Sequence, residues 1–126
     1  MEDPGLGFDV LASSLRADAR DLDVFLEVVA LKFSGALPQA VLVEHEGGLL
    51  SKKRVKRVAL QLGDHRYELA RGRQGVEARR AHVVRGMTLK TEIVDVEQWI
   101  DELVQRLQAH AQGSEQARLA LTRLLG

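Results

Sequence analysis

Eleven consecutive residues, Gly47-Gly48-Leu49-Leu50-Ser51-Lys52-Lys53-Arg54-Val55-Lys56-Arg57, carry two glycines, two adjacent leucines and five cations. Leu49 and Leu50 can dip into a lipid interface while Lys52, Lys53, Arg54, Lys56 and Arg57 meet anionic head groups, each cation contributing about 1 kcal/mol near such a surface. The same cations can grip nucleic-acid phosphates. The run equally suits a solvated connection whose charges keep a sheet edge from pairing with another chain, with Leu49 or Leu50 folded back onto the core.

Other chemistries leave weaker marks. The four histidines are His45, His65, His82 and His110. Pairing of the strands around Gly72–Gly75 makes His65 and His82 cross-strand neighbours, but two ligands are too few for a tight metal site and no third is clearly placed. His45-Glu46 begins like a metalloprotease signature, yet Gly47-Gly48 follow and the second histidine is missing. No serine sits in a Gly-x-Ser-x-Gly elbow. Gly5-Leu6-Gly7 lacks a preceding strand and a third glycine, so it is no dinucleotide loop. With no cysteine in the chain, disulfides, thiolate metal sites and thiol nucleophiles are excluded.

The 126 residues suit one compact domain, and 45% apolar with 29% charged residues is a globular composition. The expected organisation is a flexible N-terminus over 1–8 and a single domain over 9–126. Net charge is zero but segregated: residues 1–46 carry three bases and nine acids, 47–90 twelve bases and three acids, 91–126 three bases and six acids. Arg71, Arg73, Arg79, Arg80 and Arg85 extend the basic block beyond the glycine–leucine run. Tyr67 is the only aromatic residue in that block, too few for base stacking, which lowers the nucleic-acid reading. The acidic start without a long apolar run predicts no secretory signal, no stretch reaches the length of a membrane span, and a cytoplasmic location is expected. Arginine outnumbers lysine 13 to 5, a bias that suggests a GC-rich bacterial coding sequence.

The elements that position these residues follow from apolar spacing. Phe8, Leu11 and Leu15 predict a short helix over 9–16. Leu22, Leu26, Val29 and Phe33 predict a second from Asp18, its N-cap, to about Ser34, stopped by Gly35. Val41, Leu42 and Val43 read as a first strand. Val58, Leu60 and Leu62 alternate, as do Tyr67 and Leu69 across Gly63-Asp64. A two-residue turn there sets Leu60 opposite Tyr67, Val58 opposite Leu69 and Leu62 opposite His65. A turn over Gly72–Gly75 then sets Glu68 opposite Arg79 as a plausible ion pair, Tyr67 opposite Arg80 and His65 opposite His82. Gly86-Met87 turns the chain into Thr88–Val94, with Val84 facing Leu89. Asp95 with Gln98 reads as a capping box for a helix striped by Val96, Trp99, Ile100, Leu103, Val104 and Leu107. Trp99 belongs to the core on that stripe, though a half-exposed tryptophan could anchor a partner. Ser114 caps a last helix with Ala117, Leu121, Leu124 and Leu125 on one face.

The expected fold is therefore two-layer α+β: an antiparallel meander of about five strands with N- and C-terminal helices packed on one face. In size and element type the chain resembles small bacterial secretion-chaperone domains. It departs from them in strand order, because that family places a helix within the strand series, and no motif carries residues over. It is also similar to small uncharacterised bacterial α+β proteins. Composition and charge layout point to a non-enzymatic interaction or adaptor domain, a rigid scaffold with a basic sheet-side surface for an acidic protein partner. No cofactor is expected. The expected binding residues are Leu49, Leu50, Lys52, Lys53, Arg54, Lys56, Arg57, Arg71, Arg73 and Arg79. Self-association as a homodimer and attachment to an anionic membrane or nucleic acid through 49–57 are the further expectations.

Overall fold

The computed structural model describes residues 4–50, 52–113 and 115–125. The order is α1 (Pro4–Asp18), α2 (Leu22–Ala36), β1 (Val41–Glu46), β2 (Arg54–Leu62), β3 (His65–Gly72), β4 (Gly75–Val84), β5 (Met87–Val94), α3 (Val96–Gly113) and α4 (Glu115–Leu125). The strands form one antiparallel sheet in the order β1-β2-β3-β4-β5. This is the α+β meander that the alternating pattern implies.

The registers of β2, β3 and β4 match the sequence reading. Leu60 faces Tyr67, Val58 faces Leu69 and Leu62 faces His65. On the next pair, Tyr67 faces Arg80, Glu68 faces Arg79 and His65 faces His82. The core takes one face of the sheet: Val58, Leu60, Leu62, Tyr67, Leu69 and Ala78 join Phe25, Leu26, Val29, Phe33, Trp99, Ile100, Leu103 and Leu107. Trp99 is fully buried, ruling out the anchoring alternative. Its ring meets Phe25 edge-on at 5.9 Å and Tyr67 at 6.2 Å, a geometry worth about 0.5–1.5 kcal/mol per pair beyond area burial. Its indole N–H donates to the Arg79 carbonyl at 3.1 Å. Helices α2 and α3 lie against the sheet, while α1 and α4 pack mainly on other helices.

Several local expectations are corrected. Helix α1 begins at Pro4, a residue suited to a first helical turn, and Phe8 is buried. Residues 4–8 of the expected flexible stretch 1–8 are thus helical, and residues 1–3 lie outside the described residues. The cap of α2 is Asp21, not Asp18: its side chain accepts from the N–H groups of Asp23 and Val24. Helix α1 runs through Asp18, which removes that residue from capping duty. Gly35 does not stop α2, which runs one residue further to Ala36 and is capped by Leu37. Asp95 does cap α3 by accepting from the Glu97 N–H, but Gln98 turns to Glu102 instead of closing a capping box.

The β4–β5 turn centres on Arg85 and Gly86, both at positive φ. The turn thus falls one residue earlier than the expected Gly86-Met87 and pairs Val84 with Met87, so Val84 does not face Leu89; a bulge between His82 and Val83 then sets His82 opposite Lys90. Ser114 lies outside the described residues, as do the side chains of Ala117, Leu121 and Leu125, while Leu124 packs on the core.

Candidate interaction surface

The β1–β2 connection is shaped by two glycines. Gly47 at φ 84° and Gly48 at φ 120° adopt backbone conformations that side chains resist. They swing the chain away from the sheet and leave Leu49 and Leu50 at the apex, 100% and 104% exposed. Neither leucine folds back onto the core. Lys52, Lys53, Arg54 and Lys56 are exposed behind them.

Strand β2 opens with a bulge. Glu44 pairs with Arg57 and His45 with Val55, so Lys56 is the extra residue. The bulge lets Val55 turn into the core, 3% exposed, while its N–H donates to the Glu27 carboxylate at 2.8 Å. Because β2 and β3 run antiparallel, the start of β2 lies beside the end of β3. Arg71 marks the junction by donating from Nε to the Val55 carbonyl at 2.8 Å. Leu49–Lys56 and the β3–β4 turn with exposed Arg73 therefore share one end of the sheet.

The remaining expected arginines are engaged within the molecule. Arg54 pairs with Glu46 at 2.8 Å. Arg57 bridges Glu44 and Glu68, with Glu68 holding its guanidinium above the usual range. Arg71, with a nearly buried side chain, pairs with Asp23 and lies within 4.0 Å of Glu27 and Glu46. Arg79 pairs with Glu77 at 2.8 Å.

On the face away from the helices, Arg57, Arg66 and Arg79 thus stand with Glu44, Glu68 and Glu77. That face is close to neutral. The guanidinium groups and their carboxylates cover Ala59, Ala70 and Ala81, which are buried although no helix lies over them. The charge segregation seen along the chain closes in three dimensions, because acids from α2, β1, β5 and α3 meet bases of the central strands. By contrast Lys52, Lys53, Lys56 and Arg73 have no carboxylate within 4 Å among the described residues.

Two clusters escaped the sequence reading. Glu68, 5% exposed, accepts a hydrogen bond from Arg57 and forms an ion pair with Arg66 at 2.8 Å. Arg80 is clamped by Glu102 of α3 at 2.5 and 2.6 Å and by Glu92 of β5 at 2.7 Å. Those carboxylates, Glu102 foremost, raise the Arg80 guanidinium above its usual range. The alternation of Arg66 and Glu68 on one strand face was a readable signal for the first cluster; nothing local announces the second.

At the opposite end of the sheet the rings of His65 and His82 stack at 5.4 Å. Burial pushes the His65 imidazole down, helped by the charge of Arg106 and then of His82. Among the described residues no group of three or more histidine, aspartate or glutamate side chains is placed to hold a metal ion. None of their helices is long and apolar enough to cross a membrane.

Comparisons with protein-family models, with curated proteins and with solved structures gave no significant match.

Proposed function

We propose that this chain is a non-enzymatic binding module whose β1–β2 apex attaches reversibly to an anionic lipid surface. The observation that carries the reading is the pairing of two fully exposed leucines, Leu49 and Leu50, with lysines that no described carboxylate neutralises. The arginines of the sheet are already matched, which moves the docking charge from the sheet face to its end. Leucine side chains reach the interfacial region while Lys52, Lys53, Lys56 and Arg73 face the head groups.

At about 1 kcal/mol per cation and about 1 kcal/mol for each partly buried leucine, attachment amounts to about 6 kcal/mol. That corresponds to a dissociation constant of about 10⁻⁵ to 10⁻⁴ M, a salt-sensitive and reversible association. An attachment of this kind fits the negatively charged cytoplasmic leaflet and the expected cytoplasmic location.

The test is co-sedimentation with vesicles containing phosphatidylserine, against vesicles of phosphatidylcholine alone, at low and at physiological salt. Binding should require phosphatidylserine, fall as salt rises, and be lost in both Leu49→Ser/Leu50→Ser and Lys52→Gln/Lys53→Gln/Lys56→Gln. No binding by the wild type at low salt overturns the reading. Binding to polyglutamate that survives loss of the leucines would instead assign the apex to an acidic protein partner.

A further inference from the structure

Strand β1 forms one edge of the sheet. The Ala40 carbonyl accepts the Gln61 N–H at 2.8 Å, and Leu42 faces Ala59. Alternation along an antiparallel ladder then directs the even-numbered residues at β2 and turns the N–H and C=O groups of Val41 and Val43 outward. No strand lies beyond them among the described residues.

At its start this bare edge carries apolar side chains on both faces, Val41 and Val43 towards the helices and Leu42 away from them, and His45, Glu44 and Glu46 follow. Towards the helices, a groove of about 250 Å³ runs between α2 and β1, lined by Ala30, Leu31, Val43 and Val55 together with Glu27, Ser34 and His45. Leu31 stands at its rim, 79% exposed, and Leu42 on the opposite face is 55% exposed. The acids of β1 are matched within the chain, Glu44 by Arg57 and Glu46 by Arg54. Two such edges can therefore approach without bringing bare carboxylates together.

The other edge differs. On the helix side of β5, Lys90 and Glu92 form an ion pair at 2.9 Å, and Glu92 also holds Arg80. Ions at that position oppose the approach of another strand.

We infer that two copies of this chain pair antiparallel through β1, with the two-fold axis passing beside Leu42. A two-fold perpendicular to the sheet keeps each face continuous. Centred on Leu42, it sets Leu42 against its own copy and Val41 against Val43, which exchange N–H···O=C bonds in both directions. The apolar start of the strand is then used in full, and Glu44 meets Ala40. Leu31 from each copy stands where the two grooves meet. The apices fall at opposite ends of the joined sheet, so lipid attachment and pairing use separate surfaces.

The chain has no cysteine, which permits a direct test by single-cysteine cross-linking together with light scattering over a concentration series, without lipid. The wild type should move from the mass of one chain to that of two as concentration rises. Leu42→Cys should form a covalent dimer on mild oxidation, because a non-hydrogen-bonded pair places the Cβ atoms within disulfide reach. Ile93→Cys, on the outer face at the β5 edge, should not do so under the same conditions.

Val43→Pro removes an outward N–H without touching the ladder to β2 and should yield a single chain. Leu31→Lys should do the same while altering no backbone, and circular dichroism checks that both variants fold. A wild type that keeps the mass of one chain at the highest concentration overturns the proposal. So does cross-linking through Ile93→Cys as fast as through Leu42→Cys, or a dimer that survives both Val43→Pro and Leu31→Lys. A single chain that associates only with an added extended peptide would assign the edge to a foreign strand and overturn it equally.

Discussion

Glu68 and Arg79 stand directly opposite each other across β3 and β4, yet their charges go elsewhere. Glu68 holds Arg57 and Arg66, and Arg79 holds its strand neighbour Glu77. Opposed position in an antiparallel pair brings Cβ atoms close, but long side chains choose partners by reach. A guanidinium leaning along or across the sheet meets a diagonal carboxylate as readily as the facing one.

This difference predicts unequal costs. Glu68→Ala leaves Arg57 and Arg66, both only about a quarter exposed in their side chains, without their shared buried counter-charge. It should lower unfolding stability by about 2 kcal/mol. Arg79→Ala removes a more open pair and should cost less than about 1 kcal/mol. Urea unfolding of the two variants checks the order, and equal losses would refute it.

Tyr67 predicts a change in the opposite direction. It is fully buried between His65 and Trp99, and its hydroxyl has no hydrogen-bond partner among the described residues. A buried polar atom without a partner costs about 1–3 kcal/mol of desolvation. Tyr67→Phe keeps the ring and removes that cost, so it should leave stability unchanged or raise it by about 1 kcal/mol. Thermal unfolding gives the answer; a loss of more than about 1 kcal/mol would show that the hydroxyl is satisfied by bound water.

His65 makes stability depend on pH. Its imidazole is lowered from the ordinary 6.5, first by burial, then by Arg106 and His82, with Asp64 opposing and Arg80 adding to the effect. The unfolded chain therefore takes up its proton at higher pH than the folded chain does. The contribution is fully present above about pH 6.5 and is lost as pH falls through the lower, folded value. The melting temperature should drop between pH 7.5 and 5.5, and His65→Gln should reduce the drop. An equal drop in the variant would remove His65 as its source.

The sheet was legible because its signals are local. Alternation of Val58, Leu60 and Leu62 against Tyr67 and Leu69, with a two-residue turn between, admits one register that keeps every apolar residue on one face. The same logic failed at β4–β5, where Arg85 takes a positive φ and moves the turn one residue earlier, and a bulge at His82/Val83 then shifts the pairing again. Capping of α2 was misread because Asp18, Asp21 and Asp23 all offer a suitable carboxylate, and where α1 ends decides between them. Of the candidate surface, the apex residues Leu49 to Lys56 were visible as composition. That Arg57 and Arg71 are neutralised within the molecule was not, because Glu44 and Asp23 meet them only through the register and the packing of α2; the Glu77–Arg79 pair, two residues apart on one face of β4, was a readable local signal.

The order of the strands has a kinetic consequence. Each strand of the meander pairs with its neighbour in sequence, so the sheet can grow by short loop closures that cost little chain entropy. The slow event should be the meeting of the two helical ends of the chain, which brings α1 and α2 against α3 and α4. Trp99, the only tryptophan, sits where Phe25 from the first end and Tyr67 from the sheet converge. Its fluorescence during refolding is thus a built-in reporter of that last closure.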